Sequence, residues 1–243
     1  MSELSAPTLL PWLYAGLAVL LSYLVGSLSF AVITSRLMGL ADPRSYGSKN
    51  PGATNVLRSG NKKAAALTLL LDALKGLLPV LLAAWVGERF GLWGAGTVAA
   101  CGLAAFLGHL YPVFFGFQGG KGVATALGVL LALNVWMGLA TALTWLIIAV
   151  FFRYSSLASM ISAVFAVFYW LLNFGIDRAA PFVLAMSVLL IWRHRANIDK
   201  LLAGKEARIG DKAGAAAPPA TPAEAAAAHY AAERPKRRGH KRH

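Results

Sequence analysis

Long apolar runs constrain this chain more than any other feature. From Leu9 to Trp192 the sequence is filled with nearly uncharged stretches of 18 or more residues. In lipid the backbone of such a stretch has no water to bond, and an α-helix satisfies its own N–H and C=O groups. About 20 apolar residues cross the hydrocarbon core of a bilayer. Composition points the same way: 58% of residues are hydrophobic and 14% charged, where a soluble domain carries about 25% charge. The expected fold class is all-α, a polytopic membrane helical bundle.

Spans are expected at about residues 9–28, with helix continuing to Met38, then 64–86, 92–107, 157–174 and 180–192. The apolar block 123–152 is too long for one span, since a single helix would reach about 45 Å against a core of about 30 Å. Charge placement divides it. Of 23 Lys and Arg, six lie between Arg36 and Lys63 and twelve from Arg193 onward. The positive-inside rule puts both regions in the cytoplasm, so an even number of spans separates them. Breaking the block near residues 134–138 gives about seven transmembrane helices, with the N-terminus outside and the C-terminus cytoplasmic.

The same placement accounts for the net charge of +13, so no nucleic-acid partner is expected; the partner is membrane lipid. Cys101 is the only cysteine, which excludes a disulfide within the chain and a Cys-based metal site. No Lys or Arg precedes Arg36, so the first span is expected to be retained rather than cleaved as a secretory signal. Residues 1–208 read as a membrane-embedded domain. Residues 209–243, Ala- and Pro-rich and then basic, read as a disordered cytoplasmic tail.

Four polar elements interrupt the apolar pattern. In GSKNPGATNVLR, Gly47 to Arg58, Asn50 and Pro51 read as an N-cap and first helical position. Thr54, Asn55 and Arg58 then share one helical face, with Ser48 just before. Neutral donors beside a fixed cation suit an oxygen-rich anion. In GHLYPVFFGFQGGKGVAT, Gly108 to Thr125, the run Gly119, Gly120, Lys121, Gly122 opens into an apolar helix, a phosphate-cradling arrangement. It is not a nucleotide P-loop, because Phe115 and Gly122 occupy positions that need Gly and Ser or Thr. Asp72 and Lys75 share a helix face inside the second span and can pair. In RHRANIDKLLAGKE, Arg193 to Glu206, His194 and Asn197 share a face, and His suits proton transfer near neutrality. Each element also has a structural reading: a capped turn, a glycine linker, an ion pair closing the bundle, a basic flank. No ligand set for a metal is evident.

These four elements, in this order, resemble the bacterial acyl-phosphate:glycerol-3-phosphate acyltransferase family. The resemblance runs from about Gly26 to Glu206, and GATN and GGKGVAT carry most of it. Lys49 departs from it, standing where many members would have a small residue. The resemblance implies transfer of a fatty acyl group from acyl phosphate to the sn-1 hydroxyl of glycerol 3-phosphate. The products are lysophosphatidate and phosphate, with no cofactor. It implies a seven-span bundle in the bacterial inner membrane with its site facing the cytoplasm. By that resemblance Ser48, His194 and Asn197 are the catalytic candidates. Asn50, Thr54, Asn55, Arg58, Gly119, Gly120, Lys121 and Gly122 are the substrate-binding candidates. Glu206 is expected to be structural. Two other readings stay open on the sequence. His194 and Asp199 form an H-x4-D pair, a short pattern found in thioester-dependent acyltransferases, and the same basic loops would serve a membrane anion transporter.

Overall fold

The computed structural model describes residues 9–210, so the expected tail from residue 211 lies outside the described residues. Within that range every regular element is helical. The helices are α1 (Leu10–Gly26), α2 (Phe30–Leu37), α3 (Ala53–Leu57), α4 (Lys62–Phe90), α5 (Ala95–Leu110), α6 (Val123–Leu133), α7 (Val135–Phe152), α8 (Ser155–Phe174), α9 (Ala180–Arg193) and α10 (Arg195–Leu202). A single 3-10 turn, Val113–Phe115, follows α5.

The outside is more apolar than the inside. Trp12, Leu82, Val150, Phe151 and Leu172 are all exposed, which is what a helix facing lipid presents. Where helices cross, small residues let backbones approach. A β-carbon on Gly26 of α1 would stand 2.0 Å from the Ala105 carbonyl oxygen of α5, and one on Gly128 of α6 would stand 2.0 Å from that of Ala73 in α4. The interior fills around Phe106, Leu110, Val129, Trp170, Val183 and Met186.

Four helical segments are long and apolar enough to cross a bilayer alone: α4, α5 with its 3-10 turn, α7 and α8. α1 and α2 make a fifth if the bent pair counts as one. α6 and α9 are apolar but short, about 16 and 21 Å at about 1.5 Å per residue.

The long apolar block does break where the sequence predicts. Asn134 leaves α6 with an extended backbone, and its side chain accepts from the N–H groups of Trp136 and Met137, capping α7. The expected continuation of the first helix to Met38 is corrected. The chain breaks between Gly26 and Phe30 and bends by 41°. The reason lies elsewhere in the chain: the Lys75 ammonium of α4 takes the Leu28 carbonyl oxygen at 2.7 Å, so a peptide group freed by the break is satisfied by a buried cation.

Lys75 also pairs with Asp72 at 2.7 Å, as their spacing implied, and both side chains are buried. His109 of α5 and Thr125 of α6 close this cluster. The Thr125 hydroxyl donates to the Asp72 carbonyl oxygen at 2.9 Å and lies 3.2 Å from His109 Nδ1. The cluster therefore ties α4, α5 and α6 together just below the glycine run.

Candidate active site

At one end of the bundle, segments far apart in sequence converge on one cavity of about 260 Å³. Ser48 and Asn50 reach it from the loop before α3, Gly119 and Lys121 from the glycine run, and Asn197 from α10. Its other charged walls are Lys49, Arg193, Arg195 and Lys200. Together with Lys121 these are all cations, and among the described residues no carboxylate lines the space. Such a wall attracts anions and repels other cations.

The glycine run is held open by its neighbours. Arg193 spends its guanidinium on the loop's carbonyls, donating from Nη2 to the oxygens of Gly119 at 2.9 Å and Gly120 at 3.0 Å. Gly120 donates its N–H to the His109 carbonyl oxygen at 3.1 Å. A β-carbon on Gly120 would stand 2.1 Å from His109 Nε2, so only glycine fits. Gly122 takes φ +83° at the start of α6, a conformation glycine adopts without strain. Gly120 and Gly122 therefore shape the loop without lining the cavity themselves. Among the described residues the N–H groups of Gly119, Lys121 and Gly122 find no acceptor.

Lys121 donates to the Asn197 amide oxygen. Asn197 in turn donates from Nδ2 to Glu206 Oε1 at 2.7 Å, and the same oxygen accepts the Ser156 hydroxyl at 2.6 Å. Glu206 thus orients Asn197, in keeping with a structural role. Ile209 secures this returning segment: its N–H donates to the Arg153 carbonyl oxygen at 2.6 Å, while Arg153 Nη2 donates to the Ile209 oxygen at 3.1 Å. Burial pushes the Lys121 ammonium down to about 8, against the pull of Glu206.

His194 sits at the junction of α9 and α10 and is only 2% exposed. Its Nδ1 lies 2.8 Å from the Leu190 carbonyl oxygen. A carbonyl only accepts, so Nδ1 carries the proton and Nε2 the lone pair. Burial, then the charge of Lys121, pushes the imidazole down to about 4, so it is neutral at physiological pH.

Thr54, Asn55, Arg58 and His194, all expected at the site, do not line the cavity. Asn50 and Pro51 precede rather than open the helix, since α3 begins at Ala53 behind Gly52. Asn55, expected among the substrate contacts, is spent within the loop. Its Oδ1 accepts the Ser48 N–H at 3.0 Å, and its Nδ2 donates to the carbonyls of Pro43 at 2.6 Å and Tyr46 at 3.1 Å. It holds Ser48 in place and has no donor left for a ligand. Thr54 is exposed, its hydroxyl 3.3 Å from that of Ser155. Arg58 does not line the cavity, though its charge reaches Lys121. The H-x4-D pair does not form a unit: His194 is buried while Asp199 is exposed on α10. The spacing argument missed Lys49, Arg193, Arg195 and Lys200 as cavity walls; for the last three, a run of cations at the end of the last apolar helix was the available signal.

Residues 16–204 match the family model described as Glycerol-3-phosphate acyltransferase. A Glycerol-3-phosphate acyltransferase of Ralstonia pickettii is 68% identical over 197 residues, covering 81% of this chain and 95% of its own. One from Burkholderia pseudomallei is 67% identical over 198 residues, covering 81% and 96%. Among solved structures, crystal structures of PlsY (YgiH), an integral membrane glycerol 3-phosphate acyltransferase, superpose well. The glycerol 3-phosphate form gives a TM-score of 0.75 at 42% identity, and the lysophosphatidic acid form 0.73 at 41%, each covering 81% of this chain and 96% of that one.

Proposed function

The chain belongs to the glycerol-3-phosphate acyltransferase family, and from that premise we propose how the cavity carries out the transfer and which donor it uses. The protein is a membrane acyltransferase that acylates glycerol 3-phosphate, a step of phospholipid synthesis. The donor is acyl phosphate, and no coenzyme A or metal takes part in the transfer. The matched family and relatives are acyltransferases, so anion transport is not favoured.

One observation carries the reading: Ser48, Lys121 and Asn197 share a cavity whose charged walls are all cations, at the edge of an apolar bundle. Both substrates bring phosphate and one brings a lipid tail. The free N–H groups of Gly119 and Lys121 and the Lys121 ammonium hold the phosphate of glycerol 3-phosphate. Ser48 and Asn50 face the carbonyl of the donor and stabilise the oxyanion that forms there. Asn197 orients the glycerol hydroxyl from the cavity wall, with His194 buried behind it at the start of α10. That hydroxyl oxygen attacks the acyl carbon, the acyl carbon–phosphate oxygen bond breaks, and the hydroxyl proton leaves with the phosphate. An imidazole that protonates at about 4 is a weaker base than a phosphate dianion, which takes up a proton at about 6 or above. The departing phosphate is therefore the proton acceptor, and His194 positions rather than abstracts. Thr54 and Arg58 act from the periphery, Arg58 through its charge.

The site faces the cytoplasm of a bacterial inner membrane in a bundle of seven crossings, N-terminus outside and C-terminus inside. The parity of the two basic regions and the break at Asn134 support this count, with α6 and α9 as short crossings. The reading is tested by offering acyl phosphate and acyl-coenzyme A separately with labelled glycerol 3-phosphate. Labelled lysophosphatidate from acyl phosphate alone is expected, and strong loss in Lys121→Ala and Ser48→Ala. Product only from the thioester overturns the donor.

A further inference from the structure

Lys49 holds φ +55°, one of three non-glycine residues at positive φ among the described residues. A β-carbon disfavours this region and glycine accepts it. The turn imposes it. The Lys49 N–H donates to the Tyr46 carbonyl oxygen at 2.9 Å, and the preceding N–H, of Ser48, is taken by Asn55 at 3.0 Å. A strained residue persists where its surroundings over-determine it, and such residues concentrate at ligand sites.

The side chain of Lys49 is exposed and makes no hydrogen bond or ion pair among the described residues, yet it lines the cavity beside Ser48 and Asn50. Of the other cations of that wall, Arg193 is taken by the carbonyls of Gly119 and Gly120, Lys121 gives one donor to Asn197 at the glycine run, and Arg195 lies over the Trp192 ring. Among the described residues no carboxylate on the wall balances the free ammonium. The two substrates of the reaction each carry a phosphate group; Arg195 and Lys200 reach the cavity from α10, and Lys49 is the cation on the loop that carries Ser48 and Asn50.

We propose that Lys49 is a substrate-capturing residue, a cation at the cavity rim that holds a phosphate dianion in addition to the one held at the glycine run. This rests on the acyl-transfer reading above. Glycerol 3-phosphate and acyl phosphate present the same dianion; with glycerol 3-phosphate at the glycine run, the one at Lys49 is that of acyl phosphate, and a shift in the other KM reverses the two places.

Initial rates are measured on the full chain in proteoliposomes at low salt, varying each substrate separately, for the wild type, Lys49→Gly and Lys49→Arg. In Lys49→Gly the KM of one substrate rises about 3- to 10-fold, kcat stays within about two-fold, and the gap closes at high ionic strength. Which KM moves identifies the phosphate. Lys49→Arg restores most of the affinity, since it keeps the charge. Lys49→Gly melts no lower than the wild type, because glycine accepts the backbone. Unchanged KM values for both substrates in Lys49→Gly overturn the proposal, as does a loss confined to kcat that Lys49→Arg shares. A wild type inactive with acyl phosphate removes the donor reading instead. The capture is then judged by the rise in melting temperature caused by glycerol 3-phosphate and by inorganic phosphate. Smaller rises in Lys49→Gly support it, and equal rises for both ligands overturn it.

Discussion

Two polar clusters touch the same glycine run, one through His109 and the other through Lys121, and they are built differently. In the first, Asp72, Lys75, His109 and Thr125 are all buried, and the ion pair, the Leu28 carbonyl and the Thr125 hydroxyl use one another. In the second, Lys121 and Asn197 stand on the cavity wall, and Glu206 and Ser156 continue the chain behind it. An ammonium has three donors, and Asn197 is the one acceptor Lys121 has among the described residues. The closed cluster is buried away from the cavity and offers a ligand there nothing; the open one keeps donors free on the cavity wall. Burial alone does not mark a functional charge in this protein, whereas unspent hydrogen-bonding capacity does.

That contrast is sharpest when each cluster is cut. Asp72→Asn leaves Lys75 buried without its counter-charge and is expected to cost about 3–5 kcal/mol of stability, read as a fall in melting temperature in detergent. Adding Lys75→Met should return much of it. If Asp72→Asn melts like the wild type and loses only activity, the closed cluster is not structural.

Lys121→Ala should do the reverse, lowering kcat/KM about 10²- to 10³-fold by removing a charged contact of about 3–4 kcal/mol, with little change in melting temperature. A large loss of stability would place Lys121 with the closed group.

The pH dependence arises from the same open chain. Lys121 binds phosphate as the cation, and it loses its proton as pH passes about 8. KM for glycerol 3-phosphate should therefore be flat below that point and rise above it, by at most about tenfold per unit. On the acid side, kcat/KM corrected for the ionisation of the substrate phosphates should show no imidazole limb until about 4. A limb at the usual histidine value would return His194 to the role of base.

Glu206→Gln is the mildest cut. It keeps an oxygen for Asn197 and Ser156 but removes a charge that helps keep Lys121 protonated. The basic limb should move to lower pH, with KM about two- to five-fold higher than wild type near about pH 8.5. An unmoved limb would show that Glu206 acts through geometry alone.

Much of this was legible in the sequence because it rests on local chemistry. Run length fixed the class of fold, the Asp72–Lys75 spacing foretold their pair, and the block too long for one span broke at Asn134, whose side chain caps α7. Asn55 and the first helix show the limit. Helical spacing put Asn55 on a face with Arg58, but the carbonyl of Pro43, twelve residues away, claims its amide. The break after Gly26 is satisfied by a lysine 47 residues on from Leu28.

By itself the sequence determined that this chain is a helical membrane protein with phosphate-type donors in its polar interruptions, since apolar length and side-chain type are properties of the residues alone. Tertiary structure decided which donors remain unspent. Arg193, 74 residues from Gly119, is consumed by the glycine loop, while Lys49 is left facing the cavity. Hydrogen-bonding capacity is shared out among neighbours in space, and spacing along a chain does not reveal who those neighbours are.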